Sequence, residues 1–149
     1  MNVQDLTSTR YELDIGEDAI EFCYQKGWTD GLPVVPPTEE RVLRFLEVAG
    51  RDPSEVVGVV PGRGRVLTVE KVAINAVMAG CRPEYMPVVL AALEAMMDER
   101  FNLDGSSVST GGSGVLVVVN GPIRQALGFN SQTALFGPGP NFRANATVG

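Results

Sequence analysis

Histidine is absent from this 149-residue chain. That excludes Ser-His-Asp and Cys-His catalysis within the chain and leaves almost no donor set for zinc. Any general base is a carboxylate, a lysine, a tyrosine or a cysteine, or belongs to another chain. Cysteine is scarce as well, with only Cys23 and Cys81 present. The opening residues, Met1 to Thr9, are polar and lack the charged-then-apolar pattern of an export signal. The expectation is therefore two reduced thiols in a cytoplasmic protein. No apolar run approaches the roughly 18 residues that a membrane-spanning helix needs. Basic residues are outnumbered 12 to 18, for a net charge of −6. Without a basic stripe to neutralise phosphates, a nucleic-acid partner is not expected.

What is present is enough apolar residue, 44%, to build a core, over a length that suits one domain spanning 1–149. The 17 glycines and 10 prolines fall in short clusters between apolar runs, as in a loop-rich globular domain. Ile15, Ala19, Phe22 and Cys23 share one stripe of a helix expected over Asp14–Lys26, stopped by Gly27. Cys23 on that stripe reads as a small buried hydrophobe. From Gly27 to Thr38, prolines and glycines forbid a helix and fix an extended segment. Trp28 and Asp30 are its polar-capable members, as a packed linker or as the wall of a site. Thr38 then caps a helix with the stripe Val42, Phe45, Leu46 and Ala49, ended by Gly50.

Glu55 to Val60 reads as a short strand, followed by Pro61-Gly62-Arg63-Gly64-Arg65. Arginines on a glycine loop make an anion clamp or a solvated turn, and Arg63 is the candidate ligand. Thr68 caps a helix running to Ala79 that is apolar nearly all round, with Asn75 as the polar exception expected to be buried and partnered. Asp98 to Gly114 is polar and ends in a Ser- and Gly-rich stretch, either an anion cradle or a loop. Val115 to Val119 has no alternation, which predicts a strand covered on both faces. Asn120-Gly121-Pro122 turns from it into a short helix. Ligands of open α/β sheets gather at such strand ends, which nominates Asn120.

The richest stretch is Met78-Ala79-Gly80-Cys81-Arg82-Pro83-Glu84-Tyr85. Gly80 ends one helix, and Pro83 and Pro87 confine the start of the next. Cys81 thus stands just outside a helix entrance and beside Arg82, where dipole and cation favour thiolate over thiol. A buried, inert cysteine in a tight corner is the other reading. Near the C-terminus, Asn141 or Asn145 looks like the cap of a helix that never arrives, implying another chain or a processed end after Gly149.

Gly27–Thr38, Met78–Tyr85, Asn120-Gly121-Pro122-Ile123-Arg124 and Phe142–Gly149 together resemble the N-terminal half of an uncharacterised bacterial family. Genes of that family often accompany a small protein bearing a selenocysteine-or-cysteine, Gly, Ser, Cys motif. Its members continue past the position of Gly149 into a basic, apolar helix and a second half of similar size. The resemblance implies a partner chain or downstream half, and an association with thiol or selenol chemistry; it brings no assigned activity.

The chain is therefore expected to be an α/β domain, a small mixed or parallel sheet flanked by helices, incomplete without a partner. Its expected role is as a subunit or processed fragment of a bacterial enzyme acting on a small organic substrate. Cys81 would be nucleophile or redox thiol, with Glu84 or Tyr85 moving protons. Trp28, Asp30, Arg63, Arg82, Asn120, Arg143 and Asn145 are the candidate substrate contacts. The sequence leaves the cofactor unknown and points to no metal site. A non-catalytic anion-binding or scaffold subunit of a hetero-oligomer is the alternative.

Overall fold

Helices form where the apolar spacing puts them, and several end on the same device. In the computed structural model, which describes residues 5–60, 62–108, 110–132, 135–137 and 139–149, the first helix, α1, is Ala19–Gln25. It starts later than its stripe suggests. Asp18 supplies the cap, accepting from the Ile20 N–H at 2.8 Å, and Ile15 lies outside in full exposure. Past its end, Gly27 takes a positive φ of 69°, donating to Tyr24 O, while Trp28 N–H reaches Cys23 O. This double closure needs a left-handed residue, which glycine adopts without a Cβ clash. It also turns Trp28 back over α1.

The second helix, α2 (Glu39–Ala49), buries Val42, Phe45 and Leu46 as its stripe predicts. Each such side chain contributes about 1.5–3 kcal/mol relative to exposure. A hairpin follows. Strand β1 (Val56–Val60) pairs antiparallel with β2 (Arg65–Thr68), Val59 opposite Val66 and Val60 opposite Arg65. Strand β2 runs directly into α3 (Val69–Met78), whose first turn is capped by the Thr68 hydroxyl accepting from Lys71 N–H. After a 3-10 turn at Pro83–Tyr85, α4 (Met86–Met97) packs on α2, α3 and β1. These three helices and the hairpin hold the core, with Phe45, Leu46, Val69, Val77, Tyr85 and Met86 at its centre. Two short helices, α5 (Leu103–Ser107) and α6 (Pro122–Ala126), come next. The last helix, α7 (Phe142–Val148), closes the chain and buries Ala144 in the core.

The coarse α/β reading holds, with helix predominating, but two features differ from expectation. Among the described residues the sheet is one antiparallel hairpin, neither mixed nor parallel. Val115–Val119 forms no helix, turn or bend and joins no strand. Its lack of alternation predicts a strand covered on both faces, yet no strand among the described residues pairs with it. The C-terminal helix also arrives within the chain, because Asn141 accepts from Ala144 N–H and starts α7. Met1–Gln4, Pro61 of the arginine loop, Ser109 and Pro138 fall outside the described residues, so the expectations that include them are assessed only in part.

One buried charge fixes the N-terminal segment. Glu70, 2% exposed at the start of α3, accepts from the Thr7 hydroxyl at 2.8 Å, from Thr7 N–H at 3.1 Å and from Ser8 N–H at 3.0 Å. Burial alone raises its pKa, but the hydrogen bonds from Ser8 and Thr7 outweigh it and hold the carboxyl below the ordinary range. A depressed folded pKa gives stability that is present above the unfolded value and lost as pH falls through the folded value. Glu70→Gln should therefore cost about 1–3 kcal/mol at neutral pH, because its amide turns a donor toward donors. Urea midpoints measured against pH should show the wild type falling toward the variant across that acid interval, while the variant's own acid limb is flatter.

Candidate functional site

The Met78–Tyr85 corner is built by a second glycine closure. Gly80 adopts φ 83°, donates to Val77 O, and lets Cys81 N–H reach Ala76 O. The chain then turns through the Pro83–Tyr85 segment into α4. On this corner sits α7. Arg143 Nε donates to Gly80 O at 2.8 Å and its guanidinium reaches Cys81 O at 3.4 Å. The fully buried Tyr85 donates its hydroxyl to Asn141 Oδ1 at 3.1 Å, and Asn141 Nδ2 donates to Leu127 O. Val35, from the proline-rich segment, donates its N–H to Met78 O. Four stretches that are far apart in sequence therefore meet in one place.

Cys81 lies inside this joint. It is 6% exposed, and its Sγ–H donates to Thr147 O at 3.1 Å. Burial pushes the thiol pKa up, and the Arg143 charge pulls the other way without cancelling it. The expected thiolate at a helix entrance is thus not what forms here. The helix begins only as a 3-10 turn, the carbonyl of Thr147 accepts the thiol proton, and Arg82 points instead to Glu84 at 3.7 Å on the surface. Cys23 is likewise buried with a raised pKa, as its position on the α1 stripe implies.

The other candidates fall in separate places. Arg143 and Asn145 belong to the α7 joint, Asn145 accepting from Asn130 N–H and donating to Leu135 O. Arg63 is exposed in the hairpin turn, and the carboxylate of Asp104 lies against neighbouring Gly62. That negative charge opposes an anion there. Asn120 is exposed at the end of Val115–Val119, over a groove shared with α4. Asp30 is exposed in a turn, accepting from Leu32 N–H. Asn75 is exposed, not buried, and its amide bonds back to Lys71 O. Cys81, Trp28 and Asn120 therefore do not share one pocket: Trp28 and Asn120 line separate ones, and the thiol is enclosed beneath α7.

A different cavity is present. A cleft of about 800 Å³ opens between the N-terminal segment with α1 on one side and α2 with α3 on the other. Tyr11, Phe22 and Trp28 form a mutual edge-on cluster in it, with ring centroids 5.4 to 6.0 Å apart. Lys26 Nζ lies 4.7 Å from the Tyr11 ring centre, a cation over an aromatic face. Val42, Ile74 and Met78 line it from the helices. Arg10 and Glu39, which also line it, pair at 2.6 Å, and Glu70 is engaged by Thr7 and Ser8. Such a surface shelters an apolar, flat or branched molecule and offers a few polar anchors. Trp28 is the one candidate from the sequence that lines this cleft. Tyr11 and Glu70 carry no periodic or motif signal, because the N-terminal segment reaches its place through contacts distant in sequence: Thr7 and Ser8 with Glu70, Arg10 with Glu39, and Tyr11 with Phe22 and Trp28.

Among the described residues no cluster of three or more His, Cys, Asp or Glu side chains could hold a metal, and no helix is long and apolar enough to cross a membrane. Comparison of the chain with family models, with curated proteins and with solved structures finds no match.

Two measurements check this geometry. In the native chain both cysteines should alkylate at least ~10-fold more slowly than in the urea-unfolded chain, with rates rising only at alkaline pH. Fast alkylation of Cys81 at neutral pH would contradict its burial. Tyr85→Phe should cost about 1 kcal/mol in denaturant unfolding, and Asn141→Ala about 2–4 kcal/mol, since it removes the α7 cap, the Tyr85 partner and the Leu127 contact together.

Proposed function

We propose that this chain is the substrate-holding subunit of an enzyme assembly, receiving a small, mostly apolar organic molecule in the cleft beneath Trp28. The cleft carries this reading. Its volume falls in the range of small-ligand sites, roughly 300–1,000 Å³, and aromatic side chains dominate one side of it. Of the carboxylates lining it, Glu70 and Glu39 are committed to neighbours and Glu12 stands exposed as a polar anchor, which favours binding and orientation within this chain. Reacting groups then come from a partner chain. The resemblance to a two-part bacterial family supports the same division of labour. Cys81 takes no part in this reading of the chemistry, since its thiol is buried and donates to Thr147 O inside the core.

The single tryptophan supplies the test. A panel of small aryl and alkyl carboxylates, alcohols and amines should contain members that change Trp28 emission saturably at one-to-one stoichiometry. Asn75→Phe places a ring in the cleft from an exposed helix position. It should weaken that binding at least ~10-fold while changing stability by no more than about 0.5 kcal/mol, as surface substitutions do. A panel with no saturable response in the wild type would sink the proposal.

A further inference from the structure

Val115–Val119 stands apart from the rest of the molecule. The five residues run without helix, turn or bend, and their backbone N–H and C=O groups make no hydrogen bond to any described residue. All five line one apolar groove together with the small side chains Ala91, Ala92 and Ala95 of α4. Leu116 and Val118 keep the most surface open, 66% and 73% exposed. A row of unpaired amides on an apolar strand is the template to which another strand adds. The unpaired backbone restricts the occupant to an extended segment. The lack of any charged side chain lining the groove restricts it further, to an uncharged one.

We propose that the occupant is the same segment of a second copy of this chain, paired antiparallel about a two-fold axis through Val117. The segment is its own complement, since such an axis sets Leu116 opposite Val118 of the other copy and joins two unpaired edges at once. Charge points the same way. The chain carries −6 overall, so copies repel over most surfaces, yet no charged residue occurs from Gly105 to Ile123. Two copies can approach along this stretch without opposing like charges. An axis perpendicular to the strands keeps both α4 helices on one face of the joint ribbon. The surface involved is distinct from the Trp28 cleft, so dimerisation and ligand binding can be lost independently.

Sedimentation of the full chain from about 1 to 100 μM, the span in which small interfaces associate, should show a reversible dimer. Hydrogen exchange of the dimer should slow at the amides of Val115, Val117 and Val119, the alternate positions that face the partner when Val117 pairs with itself. Val117→Pro, which deletes a ladder donor, should weaken the dimer at least ~10-fold without changing the circular dichroism of the monomer. Val118→Asp and Leu116→Lys should each weaken self-association. Their equimolar mixture should recover it, because the proposed register sets those two positions face to face. A monomer at every concentration would overturn the proposal and leave the edge to a strand of a different protein. A dimer whose 115–119 amides exchange as in the monomer, or a mixture no tighter than its separate variants, would overturn it as well.

Discussion

The hydrogen bond from the buried Tyr85 hydroxyl to Asn141 is the contact on which most of the architecture depends. Tyr85 sits where α3 ends and α4 begins, and Asn141 is the residue that starts α7. A phenol buried in a low-dielectric interior needs a partner, since leaving it unmet costs about 1–3 kcal/mol. The partner it finds is itself bonded to Ala144 N–H and Leu127 O, so one side chain ties α4, α6 and α7 together. Arg143 of α7 reinforces the tie by its contact to Gly80 O, and Cys81 of the corner does so by its contact to Thr147 O. A seven-residue helix such as α7 has little stability in water by itself, and its order comes from this docking.

That joint also explains where chemistry is and is not available. The residues richest in reactive groups, Cys81 and Tyr85, are consumed in holding the corner. Polar groups buried at a helix crossing must be satisfied, and once they are satisfied they are poor nucleophiles and proton carriers. The open space lies instead on the opposite side of α3, where the N-terminal segment is held off the helix by the Glu70 carboxylate and an aromatic cluster fills one wall. The same helix thus serves the core on one face and a ligand-sized cleft on the other, with Met78 lining the cleft at its end.

Much of this was legible residue by residue. Gly27 and Gly80 read as helix stops, and each is followed by a residue whose N–H closes the last turn, on Cys23 O and Ala76 O respectively. The stripe Val42, Phe45, Leu46 was correct because α2 presents a single face to the core. Strand β2 has little signal in the sequence: it is four residues long and opens on Arg65 in a stretch that reads as glycine loop. Glu70 has none, because a glutamate in the first turn of a capped helix normally faces water, and here Thr7 and Ser8 cover it. Val115–Val119 misled for a related reason. An apolar run reports the preference of its side chains for cover, and says nothing about whether the cover belongs to the same chain.

What the sequence determined by itself was local: which residues can be helical, where glycine and proline stop them, and what the absence of histidine forbids. These follow from backbone sterics and from hydrogen bonds between residues three to five apart, which neighbours in the chain decide. The tertiary structure alone decided that Asn141, legible as a cap, also receives Tyr85, that the Cys81 thiol donates to Thr147 O, and that Glu70 is sealed beneath Thr7. Each of those contacts joins residues more than fifty positions apart. No periodicity encodes such a pairing. It is set by which surfaces remain to be covered once the local elements have formed.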